Sequence, residues 1–127
     1  MKQAPHYLIQ TLFSIFCLLL YPFSKEVQAS GSDLGLVVRE NVCAQGNLVI
    51  KTREGWFVGA QHAQGAYFYV GDVVTGTLTK EGTASVYQRG RDFVGQYRLL
   101  ETQLSLRDAI YQVCDQVRLE ISHAENS

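Results

Sequence analysis

Residues 47–100 read NLVIKTREGWFVGAQHAQGAYFYVGDVVTGTLTKEGTASVYQRGRDFVGQYRLL. Short runs rich in Val, Ile, Thr, Tyr and Phe are broken by glycine at positions 55, 59, 65, 71, 76, 82, 90 and 95, the punctuation of a compact antiparallel sheet. Asn47–Thr52 alternates as a half-buried strand. Arg53-Glu54-Gly55 suits a three-residue hairpin loop whose last position needs positive φ, and Trp56–Ala60 returns. Gln61–Gly65 reads as a polar loop, and Ala66–Val70 as the most aromatic strand. In Val73–Thr79, Gly76 marks a bend, as Gly95 does in Phe93–Leu100, and such bends favour a barrel over a flat sheet. Thr79-Lys80-Glu81-Gly82 repeats the phrase Thr52-Arg53-Glu54-Gly55, which predicts a second copy of the same turn before Thr83–Gln88.

The flanks supply helices. Ser105-Leu106-Arg107-Asp108 has the form of a capping box, and Leu106, Ile110, Val113, Cys114, Val117 and Ile121 recur at spacings of three and four. On the other side, Leu34, Val37, Val38 and Val42 fit one face of a helix over 34–45, with Ser32 as its cap and Gly46 as its stop. A strand through Leu36-Val37-Val38 is the alternative. The expected class is therefore α+β: a small curled antiparallel sheet or barrel of about six strands, a C-terminal helix and an N-terminal one.

Upstream of this domain, Leu8–Tyr21 is apolar apart from Gln10, Thr11 and Ser14, follows a polar start with Lys2 and His6, and precedes Val27-Gln28-Ala29. That is the form of an export signal cleaved after Ala29. About fourteen apolar residues fall short of the roughly twenty that span a bilayer, so no stable membrane insertion is expected after cleavage. Removing 29 of the 127 residues leaves 98, enough for one domain (30–127). Losing Lys2, Lys25 and Glu26 moves the formal charge from −1 to −2, which gives no reason to expect nucleic acid. Cys17 leaves with the signal. Cys43 and Cys114 remain, an even pair that forms one disulfide in the periplasm or outside the cell.

Nothing in the chain has the spacing of a metal site, a phosphate loop or a dinucleotide fingerprint, and no cofactor is expected. His62, Asp72 and Asp92 are the residues from which an enzyme would have to assemble its site, and the sequence gives them no recognisable arrangement; His62 reads as an ordinary loop histidine. The aromatics carry more. Alternation buries Ala66, Phe68, Val70, Val74, Leu78, Ala84 and Val86, and leaves Tyr67, Tyr69, Tyr87 and Trp56 outside with Arg89, Arg91 and Arg98. Flat apolar rings with polar tips beside guanidinium groups suit a protein or cell-wall glycan contact. The expected function is an exported non-catalytic binding module, in one form an inhibitor or immunity-type protein for a secreted hydrolase. The alternatives are a small secreted enzyme and a structural envelope subunit that assembles through an open sheet edge.

Overall fold

The computed structural model describes residues 33–126. The expected export signal, its expected cleavage point and the expected Ser32 cap lie outside them. Six strands and one helix follow in order: β1 (Asp33–Glu40), β2 (Leu48–Thr52), β3 (Phe57–Gly65), β4 (Val73–Gly76), β5 (Gly82–Gln88), β6 (Val94–Leu99) and α1 (Leu106–Asn126). The strands close into a barrel in the order β1-β2-β3-β6-β5-β4, with every pairing antiparallel. The domain is the expected α+β barrel with a C-terminal helix. Because β4 returns to lie beside β1 after the β1-β2-β3 meander, the first four strands form a Greek key.

The segment over 34–45 is not a helix: its first part is β1, hydrogen-bonded to β2 on one side and β4 on the other. Gly35 and Val37 are buried and Leu36 is exposed, so the strand period of two governs the segment. A register shift between Val37 and Arg39 interrupts it, and that bulge produces the adjacent Val37-Val38 pair that imitates a helical face. Gln61–Gly65 is likewise not a loop but the second half of β3, paired to β6 as Gln61↔Arg98, His62↔Tyr97, Gln64↔Gln96 and Gly65↔Gly95.

The aromatic run Ala66–Val70 is the reverse case, expected as a strand and found as the connection from β3 to β4. It must cross the barrel's open end, so its backbone takes irregular partners. Ala66 N donates to Val94 O (3.0 Å) and Gly71 N to Val37 O (2.9 Å), while Val70 N donates to the Glu40 carboxylate (3.1 Å). Phe68 is buried and plugs that end of the core; Val70, expected inside, is exposed. Gly65 enters the crossover at φ 85, a left-handed turn that other residues rarely adopt.

The two Thr-base-Glu-Gly phrases do different work. Thr52–Gly55 is the tight hairpin: Gly55 N donates to Thr52 O (3.0 Å), Thr52 N to Trp56 O (2.7 Å), and Gly55 has φ 94. Thr79–Gly82 belongs to a wider connection between β4 and β5. Its preceding Leu78 is buried and held by a bond from its backbone N–H to the Asp33 carboxylate (3.0 Å), closing the other end of the barrel.

Inside lie Val37, Leu48, Ile50, Val58, Ala60, Phe68, Val74, Leu78, Val86, Tyr97 and Leu99. A second apolar layer sits outside the barrel wall, where α1 lies on β3 and β2 and buries Val49, Ala109 and Val113. Gly59 lets the helix approach, since a Cβ there would lie 2.3 Å from Val113 Cγ2. The disulfide Cys43–Cys114 ties the middle of α1 to the β1–β2 loop. Ser105 Oγ accepts from Asp108 N (3.1 Å) at the helix start, as the capping motif predicts. Ile121, expected on the packed face, is exposed; the last turns of α1 run on into solvent.

Candidate binding surface

The structure distributes the expected surface residues over three places. Tyr67, Tyr69, Tyr87, Arg89 and Arg91 gather toward the end of the barrel that the crossover closes. Trp56 stands in the β2–β3 hairpin at the opposite end, and Arg98 lies on the outer side of β6, beside α1.

Within the first group the roles separate. Tyr67 stacks on His62 with ring centroids 4.3 Å apart, and His62 meets Tyr97 edge-on at 5.3 Å. His62 is thus a half-buried member of the barrel's aromatic plug, not an ordinary loop residue. Its Nε2 lies 3.0 Å from Gly65 O, so the candidate catalytic histidine is engaged by a backbone carbonyl. Asp72 is also committed: its carboxylate accepts from Tyr69 N (2.8 Å) and Gln88 Nε2 (3.2 Å), which fastens the crossover to the end of β5. Asp92 is exposed in the β5–β6 hairpin. No hydrogen bond joins His62 to a carboxylate among the described residues.

Tyr97 anchors the plug from inside. Its hydroxyl donates to Ala66 O (3.0 Å). Burial pushes its pKa up to about 12.

An outward apolar surface follows from strand register. Val37, Val74 and Val86 point into the core, so their neighbours Leu36, Val73 and Tyr87 point out. Leu36 pairs directly with Val73. In the adjoining row Leu34 pairs with Thr75, Thr75 with Tyr87 and Tyr87 with Val94. Leu36, Val73, Tyr87 and Val94 are 41%, 38%, 49% and 38% exposed. Helix α1 covers the β2–β3 side; among the described residues no element packs over this wall of β1, β4, β5 and β6. Lys51 stands opposite Leu36 on β2, and Arg89 N donates to Val73 O (2.9 Å), which places two basic residues at the patch's margins.

Leu36 escapes a helical reading of 34–45, which allots it to the polar side of a helix. Val73 and Tyr87 are legible as outward residues, but their union with Leu36 and Val94 depends on the closure of β4 onto β1. Among the described residues no group of three or more His, Cys, Asp or Glu side chains is arranged to hold a metal ion, and no helix is long and apolar enough to cross a membrane. Comparison with protein-family models finds no match, and neither do comparisons with curated proteins and with solved structures.

Proposed function

We propose that this chain is an exported, non-catalytic binding module that recognises a protein partner through the uncovered barrel wall. The observation that carries this reading is the two adjoining rows that hold outward-facing Leu36, Val73, Tyr87 and Val94, where a solvated sheet face ordinarily alternates to polar residues. A contiguous apolar patch with a charged margin is the usual form of a protein contact. Lys51 and Arg89 at its edge favour a partner whose contact surface is apolar in the centre and acidic at the rim. An inhibitor or immunity-type protein for a secreted hydrolase is one concrete form of such a module.

Export rests on the apolar leader and agrees with the disulfide; intact-mass analysis of the exported protein is expected to show a chain beginning at Ser30. The enzyme reading loses support because His62 is held by Gly65 O, and assembly through an open sheet edge because every strand of the closed barrel has two neighbours.

Affinity capture from envelope extract tests the wall. A specific partner is retained by the native protein and by Tyr111→Ser, which alters an exposed tyrosine on α1, and is lost with Tyr87→Ser/Val94→Ser. Salt weakens the retained complex. Equal capture by all three proteins overturns the proposal.

A further inference from the structure

A second surface lies along the seam between α1 and the Arg98 end of β6, four residues beyond Val94 on the same strand. Two cavities open there, of about 450 Å³ and 320 Å³, within the range of small-ligand sites of roughly 300–1,000 Å³. Arg98 lines both. From the helix, Gln112 and Gln116 line the larger and Glu120 the smaller, so positions i, i+4 and i+8 present one polar flank to the seam.

Two side-chain groups here lack partners, the Arg98 guanidinium and one oxygen of Gln61. The Arg98 guanidinium makes no ion pair or hydrogen bond among the described residues. Directly across the β3–β6 ladder, Gln61 is 7% exposed. Its Nε2 donates to Glu120 Oε1 (3.2 Å), and its Oε1 is buried with no partner. A buried acceptor without a donor and a free cation stand at adjacent positions on one seam.

We infer that this seam binds a saccharide carrying a carboxylate, with the carboxylate on Arg98 and hydroxyls on the flanking amides and acids. The chemistry of the walls selects this class. Glu81, Glu101 and Glu120 line the two cavities against a single arginine, which repels a phosphate-rich or polyanionic ligand. The apolar lining is confined to Leu99, Leu100, Val117 and two alanines, which offers little to the side chains of a peptide. Gln112 is paired with Glu101 through both its amide oxygen (2.9 Å) and its amide nitrogen (3.2 Å); hydroxyl groups both donate and accept, so they match the Gln116 amide, the Glu120 carboxylate and the unsatisfied Gln61 oxygen together. One carboxylate answers the one unpaired guanidinium in a charge-assisted, fork-like contact.

Amide-resolved NMR titration of the exported, disulfide-bonded protein tests this, with N-acetylmuramic acid as the probe and N-acetylglucosamine, which lacks the lactyl carboxylate, as its counterpart. The acidic sugar is expected to shift Arg98 and the side-chain amides of Gln61, Gln112 and Gln116, saturating at about millimolar concentration. N-acetylglucosamine and the Arg98→Gln variant should bind at least about tenfold more weakly, and Arg98→Lys should be intermediate. Tyr87→Ser, at the other end of the β5–β6 ladder, should bind unchanged, which keeps this site distinct from the protein-docking surface. Arg98 is exposed, so its variants are expected to melt with the native protein. No shift with the acidic sugar, equal shifts with acetate alone, or indifference to Arg98→Gln would overturn the inference.

Discussion

Gly59 and Val113 compete for one space: a Cβ on Gly59 would lie 2.3 Å from Val113 Cγ2. Gly59→Ala is therefore expected to destabilise the fold by about 1–3 kcal/mol through overpacking. Val113→Ala removes the obstructing methyls and should recover part of that loss when combined with it. Urea denaturation of both single variants and the double variant measures the coupling, and additive costs would show that helix and strand do not meet at this point. Tyr97 supplies a pH-dependent prediction. Its folded pKa is raised from 10.0 to about 12, chiefly by burial, so the neutral phenol is the form the fold favours. Its contribution is complete below about pH 10, and stability falls as pH rises through the window to about 12, where the unfolded chain releases a proton that the native chain retains. Two units correspond to roughly 3 kcal/mol. The difference in urea midpoint between native protein and Tyr97→Phe should shrink across that window; a constant difference would remove the phenol as its cause.

At the scale of elements, the parts legible in the sequence are those fixed by local chemistry. The Thr52–Gly55 hairpin follows from a glycine that takes φ 94, and α1 from its capping serine and its spacing of apolar residues. The misreadings occur where tertiary placement overrides local pattern. β1 carries a bulge that places Val37 and Val38 together, so a strand shows the spacing of a helix. The far half of β3 is polar because Gln61 meets Glu120 under the helix and His62 joins the aromatic plug. The crossover is aromatic because it stoppers the barrel with Phe68, not because it belongs to the sheet. The second Thr-base-Glu-Gly phrase shows the same limit, since four residues do not specify a turn unless the flanking strands meet in register. The disulfide acts at this scale too. Joining residues 71 apart, it restricts a long loop in the unfolded chain, worth about 4 kcal/mol by the chain-entropy estimate. Cys43→Ser/Cys114→Ser is expected to lower the unfolding free energy by up to that amount, and α1 should exchange its amides before the barrel does. Unchanged stability, or two free thiols in the exported protein, would contradict this role.

Across the whole molecule, α1 gives the barrel two unlike sides: a packed face with a polar seam beside it, and an uncovered wall with an apolar row. Composition and alternation predict that tyrosines and arginines stand outside, but not which of them share a surface. Trp56 and Tyr69 end at opposite ends of the barrel, Tyr67 is spent on stacking against His62, and Arg98 faces the helix seam. Leu36 joins Val73 only because β4 returns to β1, a contact between residues 37 positions apart that no local pattern encodes. The wall residues support the sheet only through cross-strand pairs of about 0.2–1 kcal/mol, so Tyr87→Ser is expected to leave the melting temperature nearly unchanged. Its removal from the centre of an interface should cost about 2 kcal/mol, roughly thirtyfold in Kd. The most direct measurement is amide and methyl shift mapping of the labelled protein bound to its captured partner. Perturbations centred on Leu36, Val73, Tyr87 and Val94, sparing Tyr111 and the exposed face of α1, are predicted; perturbations centred on α1 or on the Trp56 hairpin, with the wall unaffected, would contradict the account.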